Sequence, residues 1–267
     1  MRLTIATWNI NSLRLRYGLL SRLIADLDPD VICFQETKVP DALFPAAVPP
    51  SLGYPHAAFR GMKGYNGVAI FSRIPFSVVG DTPDWCGRGD CRHLAVALEM
   101  PRGKLIIHDF YVPAGGDIPD SRANPKFAHK LAFVREATAH FRANPPACPS
   151  VLVGDLNIAP LATDVWSHKQ LLKVVSHTPP ETRGLMRWQK TGWLDAIRQF
   201  VPAEQKLFTW WSYRNQDWRK SDRGRRLDHI WVTPDLGPSL TGYAVLKDAR
   251  DWEAGSDHVP VSITLDL

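Results

Sequence analysis

Short runs of β-branched and aromatic residues recur along the whole chain, at residues 3–8, 31–34, 67–71, 94–98, 104–112, 151–153, 227–233 and 259–265. Several are almost continuously apolar, as strands covered on both faces are. The run from Leu105 to Tyr111 alternates instead. Leu105, Ile107, Asp109 and Tyr111 fall on one face, and Ile106, His108 and Phe110 on the other.

Helical periodicity fills the gaps. Leu19, Leu20, Leu23, Ile24 and Leu27 form an amphipathic stripe that ends at Asp28-Pro29. Phe127, Leu131, Val134 and Phe141 mark a second helix, stopped by Asn144-Pro145-Pro146. A third is expected over residues 183–200, on Leu185, Trp188, Leu194 and Ile197. Strands and helices are mixed throughout, and no linker or compositional break divides the chain. The pattern predicts one α/β domain over residues 1–267, with large mixed sheets between helices. No repeat is visible at the level of sequence.

Composition narrows the class. Of 267 residues, 45% are hydrophobic, enough for a large core and too many for a disordered chain. Cys33, Cys86, Cys91 and Cys148 form no Cys-x-x-Cys pair, which argues against a structural zinc site and against a disulfide framework. No apolar run approaches the roughly 20 residues that span a bilayer, and no signal-peptide pattern opens the chain. The expectation is a soluble protein of a reducing cytoplasm, with no membrane partner. Lys and Arg number 32 against 27 Asp and Glu, a net charge of +5 that suits a polyanionic partner. Residues 60–66 and 84–92 are glycine-rich and basic. Residues 214–226 hold Arg214, Arg219, Lys220, Arg223, Arg225 and Arg226 around Trp218. By composition alone this is a solvated loop. Cations interleaved with aromatics are also what a nucleic-acid surface needs.

The chemistry is expected where polar residues interrupt apolar strands. Trp8-Asn9-Ile10-Asn11 follows the first run, and Gln35-Glu36-Thr37-Lys38 the second. Tyr111 ends the run from Lys104, and Gly154-Asp155-Leu156-Asn157 follows residues 151–153. Asp228-His229 sits inside a strand, and Ser256-Asp257-His258 precedes the last one. Singly, most have ordinary explanations: Asp155 and Asn157 as turn residues, His258 as a satisfied histidine, Tyr111 as a half-buried aromatic. Asp228 is harder to explain so, because a carboxylate inside a strand core must be paired or functional. Together these residues match the tendency of ligand sites in α/β sheets to gather at strand ends. Carboxylates and amides without thiolate are hard oxygen ligands, which select Mg²⁺ or Mn²⁺ over zinc. Mg²⁺ keeps several waters, so a sparse set such as Glu36, Asp257 and Asn9 suffices. With Tyr111 and His258 beside it, such a site suits phosphodiester hydrolysis.

Five strings carry a resemblance: Trp8-Asn9-Ile10-Asn11-Ser12-Leu13-Arg14, Phe34-Gln35-Glu36-Thr37-Lys38, Gly154-Asp155-Leu156-Asn157-Ile158-Ala159-Pro160, Arg226-Leu227-Asp228-His229-Ile230 and Ser256-Asp257-His258-Val259-Pro260-Val261. In this order the chain resembles the exonuclease III branch of the AP endonuclease family, within the endonuclease/exonuclease/phosphatase superfamily. The Gln-Glu-Thr-Lys string and Phe208-Thr209-Trp210-Trp211-Ser212-Tyr213-Arg214 point to the DNA-repair branch. The resemblance runs from about residue 1 to 265. It implies a deoxyribonuclease I-like four-layer α/β sandwich, two mixed β-sheets packed face to face with helices outside.

The resemblance also implies roles. Glu36 is the main Mg²⁺ ligand, with Asn9, Asn11 and Asp257 near the ion or its waters. A second metal on Asp155, Asn157 and His258 is left open. Asp155, assisted by Asn157, orients or deprotonates the attacking water, or else protonates the leaving 3′ oxygen. His258 binds the scissile phosphate, Asp228 orients its imidazole, and Tyr111 contacts the phosphate or the developing oxyanion. Phe208 and Trp210 wall an abasic-sugar pocket, and Arg92 and Lys126 lie near DNA. Trp188 is placed on an element that approaches the minor groove. The implied protein is a monomeric, Mg²⁺-dependent DNA repair nuclease. It cuts duplex DNA 5′ to abasic sites and has 3′→5′ exonuclease and 3′ end-cleaning activity. The rivals are a related phosphoesterase acting on RNA or a phosphoinositide, and a DNA-binding protein that has lost its chemistry.

Overall fold

In the computed structural model, which describes residues 1–80, 82–101 and 103–267, every apolar run becomes a strand. The strands are β1 (Arg2–Asn9), β2 (Val31–Gln35), β3 (His56–Arg60), β4 (Val68–Ser72), β5 (Phe76–Val78), β6 (His93–Met100), β7 (Gly103–Tyr111), β8 (Ser150–Asp155), β9 (Leu194–Asp195), β10 (Asp228–Val232), β11 (Leu240–Val245) and β12 (Val261–Asp266). They form two six-stranded sheets, ordered β11-β12-β1-β2-β4-β3 and β5-β6-β7-β8-β10-β9. In each sheet the central pair is parallel, β1 with β2 and β7 with β8. The neighbouring pairs are antiparallel.

Both sheets follow one plan. A strand leads through a helix to its parallel neighbour, and two more strands then add in inverted order. In the first sheet the crossover carries α1 (Leu20–Leu27), in the second α2 (Pro125–Ala143). The repeat that is invisible in the residues is thus present in the topology. α1 ends where Asp28 turns left-handed, at φ 41°. α2 starts at Asn124, whose side chain accepts from the Lys126 amide, and ends at Asn144.

The strand faces divide the core into layers. Leu3, Ile5, Val31 and Ile70 of the first sheet meet Val96, Ile107, Val153 and Ile230 of the second. Outside the first sheet, Trp8, Phe34 and Phe71 pack with Leu20 and Leu23 of α1. Outside the second, Phe110, Leu152 and Trp231 pack with Phe133 and Val134 of α2. The result is the expected four-layer sandwich. The alternation in β7 is kept: Ile107 and Tyr111 face inward and Phe110 outward. Asp109 also faces inward, and its Oδ1 accepts from Gln35 Nε2 of the opposite sheet at 2.6 Å.

Two expectations need correction. No single helix covers residues 183–200. The helix here, α3, is Pro179–Gln189. It is capped at Lys190, and Gly192 then sits at φ +127°, a backbone conformation that no helix contains. Leu194–Asp195 is the edge strand β9, and Ile197–Gln199 forms one 3₁₀ turn. The apolar spacing was real, but it joined two elements across a break. Trp188 is also not at a surface: it is fully buried against Phe110 and Trp231. Among the described residues, no helix is long and apolar enough to cross a membrane.

The second sheet buries a histidine pair. His93 Nε2 lies 3.2 Å from His108 Nδ1, and the His93 ring stacks on Phe110 at 3.9 Å. Burial pushes both imidazoles down, His108 to about 4; the His108 charge adds to the lowering at His93, and the nearby His140 adds to that at His108. Their folded values lie below the unfolded one, so the stability they contribute is full above about pH 6.5 and is lost as pH falls toward 4. We expect His108 alone to cost about 3 kcal/mol over that interval, with His93 adding in the same direction. Urea unfolding at both pH values should show the loss, and the double variant His93→Phe/His108→Phe should show a flatter dependence.

Candidate active site

The central parallel strands of both sheets end at the same edge of the sandwich. Asn9 ends β1, Gln35 ends β2, Tyr111 ends β7 and Asp155 ends β8. Asp228, the first residue of β10, pairs directly with Asp155, as does Tyr111. The turn before β12 adds Ser256, Asp257 and His258. Sharp backbone turns allow this convergence. Asn11, Glu36 and Asn157 all have positive φ, at 48°, 53° and 53°. Gly154 sits at φ +136°, and a Cβ there would lie 1.9 Å from the Phe110 carbonyl oxygen. A larger residue would push β8 off β7 next to Asp155.

A hydrogen-bond network fixes the side chains. Asn9 Nδ2 donates to Glu36 Oε1 and to Asp155 Oδ2, both at 2.9 Å. Asn157 donates its amide N to Asp155 Oδ1 at 2.9 Å and its Nδ2 to Asp155 Oδ2 at 3.0 Å. The Asp155 carboxyl therefore receives three aimed donors. His258 Nδ1 lies 2.9 Å from Asp228 Oδ2, and its Nε2 lies 3.7 Å from Asp155 Oδ2. Thr209 Oγ1 donates to Asp228 at 2.6 Å. Ser256 Oγ donates to the Asn9 carbonyl at 2.7 Å and accepts from the His258 amide at 3.2 Å. Lys38 Nζ joins Glu36 Oε2 at 2.9 Å to Asn11 Oδ1 at 2.6 Å, and Asn11 Nδ2 reaches Asp257 Oδ1 at 3.2 Å.

Burial sets the charges. It raises the Asp155 carboxyl to about 7, against the opposing pull of His258. Burial would lower the His258 imidazole, but Asp228 and Asp155 override it and hold the ring up at about 10. The imidazolium therefore persists at neutral pH. Burial also opposes ionisation of Glu36, but Lys38 and the Asn9 hydrogen bond bring its carboxyl below the usual value. Burial, with Glu36 and Asp155 nearby, pushes the Tyr111 hydroxyl well up, so it stays a proton donor.

The oxygens fit a hard cation. Glu36, Asn11 and Asp257 already converge on the Lys38 ammonium or on one another, and no thiolate is among them. Asp155, Asp228 and His258 each bring one ligand atom within 4.8 Å of the others, a second place able to hold a metal ion. There the His258 Nδ1 is already engaged by Asp228.

A cleft of about 720 Å³ opens over this centre, lined among others by Glu36, Asp155, Asn157, Trp210, Asp257 and His258. Trp210 Nε1 donates to Asp257 Oδ2 at 2.9 Å. Beyond Ala114 and Gly116 lies a second cleft of about 830 Å³, bordered by Arg88, Arg92, Tyr111 and Lys126. The Arg92 guanidinium sits over the Tyr111 ring at 4.8 Å and pairs with Asp90. Phe208 is not brought to the cleft wall. It is buried, packed on Trp211 and closed over by Gly224, where a Cβ would meet the ring at 2.7 Å. Part of the basic loop is likewise structural. Arg226 is fully buried on Asp195 at 2.7 Å, and Arg219 pairs with Asp248 and Asp251.

Sequence reasoning missed one support. Lys130 of α2 and Glu181 of α3 form a fully buried ion pair at 2.6 Å behind the site. Lys130 Nζ also donates to the Asn157 carbonyl at 2.7 Å and to the Ala114 carbonyl at 3.2 Å. Glu181 accepts from the amides of Ser176 and Thr178. The available signal was Glu181 three residues after Thr178, a helix-start signature. Lys130→Ala leaves Glu181 buried without its cation, and should destabilise the fold by about 3–5 kcal/mol in urea titration.

Comparison with known proteins agrees with this geometry. The model of the endonuclease/exonuclease/phosphatase family matches residues 6–258. Exodeoxyribonuclease III of Haemophilus influenzae is 31% identical over 268 residues, covering 96% of this chain and 97% of that protein. The solved structure of the 3′ phosphatase NExo from Neisseria, bound to a product DNA hairpin, is 30% identical with a TM-score of 0.90. It covers 99% of this chain and 100% of its own. An AP endonuclease from Archaeoglobus fulgidus is 28% identical with a TM-score of 0.89 over the same shares. The chain belongs to the endonuclease/exonuclease/phosphatase family, in its exonuclease III and AP endonuclease branch.

Proposed function

We propose that this DNA repair nuclease, one catalytic domain over residues 1–267, hydrolyses the bond between phosphorus and the 3′ oxygen in duplex DNA. Incision 5′ to an abasic site, 3′→5′ exonuclease action and 3′ end cleaning all break that bond. The observation that carries the reading is the array of Asp228, His258 and Asp155, with three donors aimed at Asp155 and Glu36 joined to it through Asn9. We take the working form to be a cytoplasmic monomer.

Bound Mg²⁺, or Mn²⁺ in its place, supplies positive charge for the phosphate oxygens and the leaving group; Glu36, Asn9, Asn11 and Asp257 would hold it. Asp155, held by Asn9 and Asn157, takes a proton from the attacking water. Its raised affinity for protons, near neutrality, suits that transfer better than an ordinary carboxylate would. The His258 imidazolium donates through Nε2 to a phosphate oxygen, while Asp228 and Thr209 keep Nδ1 engaged. The Tyr111 hydroxyl donates to charge developing on the phosphate. Trp210 borders the nucleotide that follows, and Arg92 and Lys126 hold backbone phosphates from the neighbouring cleft.

The test is a pair of labelled duplexes, one with an internal abasic-site analogue and one with a recessed 3′ end, in Mg²⁺ and in EDTA. Cleavage in Mg²⁺ alone is expected. Asp155→Asn should lower kcat by about 10²–10⁴-fold with DNA affinity largely kept. Near wild-type turnover in that variant would overturn the role of Asp155. Hydrolysis of RNA or a phosphoinositide, but neither duplex, would overturn the substrate. The pH profile tests His258. Its charged form should persist until about pH 10. Asp228→Asn removes the anion that raises it, so the alkaline limb should move toward neutral pH.

A further inference from the structure

Arg225 lines the catalytic cleft, and among the described residues it forms no direct ion pair. Its backbone pairs with Trp210, which in turn pairs with His258. Its guanidinium lies over the Trp210 ring at 5.1 Å. Nη1 donates to the Val175 carbonyl at 3.0 Å and to Ser176 Oγ at 2.9 Å. The side chain thus crosses from Trp210 to the opposite cleft wall. Among the described residues, Nε is buried without a partner and Nη2 makes no hydrogen bond. Among the described residues, no carboxylate lies within ion-pairing distance of it, and Glu181 acts on it only from beyond that distance. The adjacent Arg226, by contrast, is paired with Asp195, and Arg198 with Asp164. A half-buried guanidinium without a direct ion pair is costly unless an anion arrives.

We propose that Arg225 sets the substrate preference of this site, favouring a 3′-terminal phosphomonoester over an internal abasic site. The inference rests on the nuclease reading above. In both substrates water attacks phosphorus and the bond to the 3′ oxygen breaks. The water gives a proton to Asp155 and its electron pair forms the new bond to phosphorus; the pair of the broken bond stays on the 3′ oxygen, which takes a proton from solvent, and Asp155 later returns its own to solvent, so the net change is addition of water across the bond. The substrates differ in what else the phosphorus carries. At an abasic site it carries a neutral deoxyribose through its 5′ oxygen. At a 3′-phosphate end it carries another anionic oxygen, so a phosphomonoester is close to a dianion at neutral pH. The Arg225 side chain fills the space between Trp210 and Ser176, and on this assignment that bulk stands in the way of an extrahelical sugar entering beside Trp210. Its free edge offers a charge-assisted donor to the added oxygen instead. Volume and charge therefore act in the same direction.

The test compares wild type with Arg225→Ala, Arg225→Met and Arg225→Lys on two duplexes in Mg²⁺. One carries a nick ending in 3′-phosphate, and the other an internal tetrahydrofuran. Arg225→Met keeps bulk without charge, and should lower kcat/KM on the 3′-phosphate by about tenfold or more without a gain at the tetrahydrofuran. Arg225→Ala also opens the space, and should gain at the tetrahydrofuran as it loses at the phosphate. Arg225→Lys should keep part of the preference, and thermal melts should show the three variants folded. A second readout avoids turnover. In EDTA, fluorescence anisotropy should show wild type binding a 3′-phosphoryl hairpin more tightly than its 3′-hydroxyl twin, and Arg225→Met binding both alike. Wild type active on both duplexes, with a substrate ratio that moves less than about threefold in Arg225→Met and Arg225→Ala, would overturn the assignment of Arg225 alone. Wild type inert on both would overturn the nuclease reading, and this inference with it.

Discussion

Gathering acidic groups inside a protein is the constraint around which this molecule is arranged. Glu36, Asp155, Asp228 and Asp257 meet at one edge of the sandwich, two of them essentially without solvent contact. Buried carboxylates repel one another and lose hydration, so each needs a defined partner. Asp228 has the His258 ring and the Thr209 hydroxyl. Asp155 has the amides of Asn9 and Asn157. Glu36 has Lys38, and Asp257 has Trp210 and Asn11. No two of these anions share the same principal partner. The arrangement holds excess negative charge beside a basic surface, the combination that metal-assisted work on a polyanion requires.

The central strands were legible in the sequence because they are covered on both faces. Residues 31–34 and 151–153 are continuously apolar, and residues 3–8 are interrupted only by Thr4 and Thr7, because each lies inside a sheet with helices or a second sheet on either side. The four strands that the pattern did not reveal are β3, β5, β9 and β11. They are the four edges of the two sheets. An edge strand is half exposed and short: β5 has three residues and β9 two. Such segments carry neither a continuous nor an alternating apolar run, so their pairing is decided by their neighbours. The overlong third helix failed for a related reason. Apolar spacing persists across Gly192, but backbone conformation there does not.

At the site, residue types at strand ends were enough to nominate the catalytic group, because polar side chains at those points have no ordinary role in an apolar sheet. Partner assignments were not readable. Nothing in the sequence distinguishes Arg225, unpaired on Trp210, from Arg226, neutralised beneath it. The same holds for Phe208 and Trp210, two residues apart on opposite sides of the cleft floor. Lys130 and Glu181 lie 51 residues apart on separate helices, and nothing in either local sequence shows that they form a buried pair. These distinctions depend on three-dimensional neighbours from distant parts of the chain.

The placement of β12 between β11 and β1 has a consequence for how the protein folds. Asn9 and His258 stand at opposite ends of the sequence, yet the Trp8 indole donates to the His258 carbonyl at 3.0 Å. β1 finds its antiparallel neighbour only when residues 261–266 dock. Contacts this distant in sequence slow folding, because a long loop must close before they contribute. Until that closure, β1 presents an unpaired apolar edge open to other chains. The same docking event seals that edge and delivers the imidazole. Chemical competence and cover for that edge therefore depend on one and the same docking of β12.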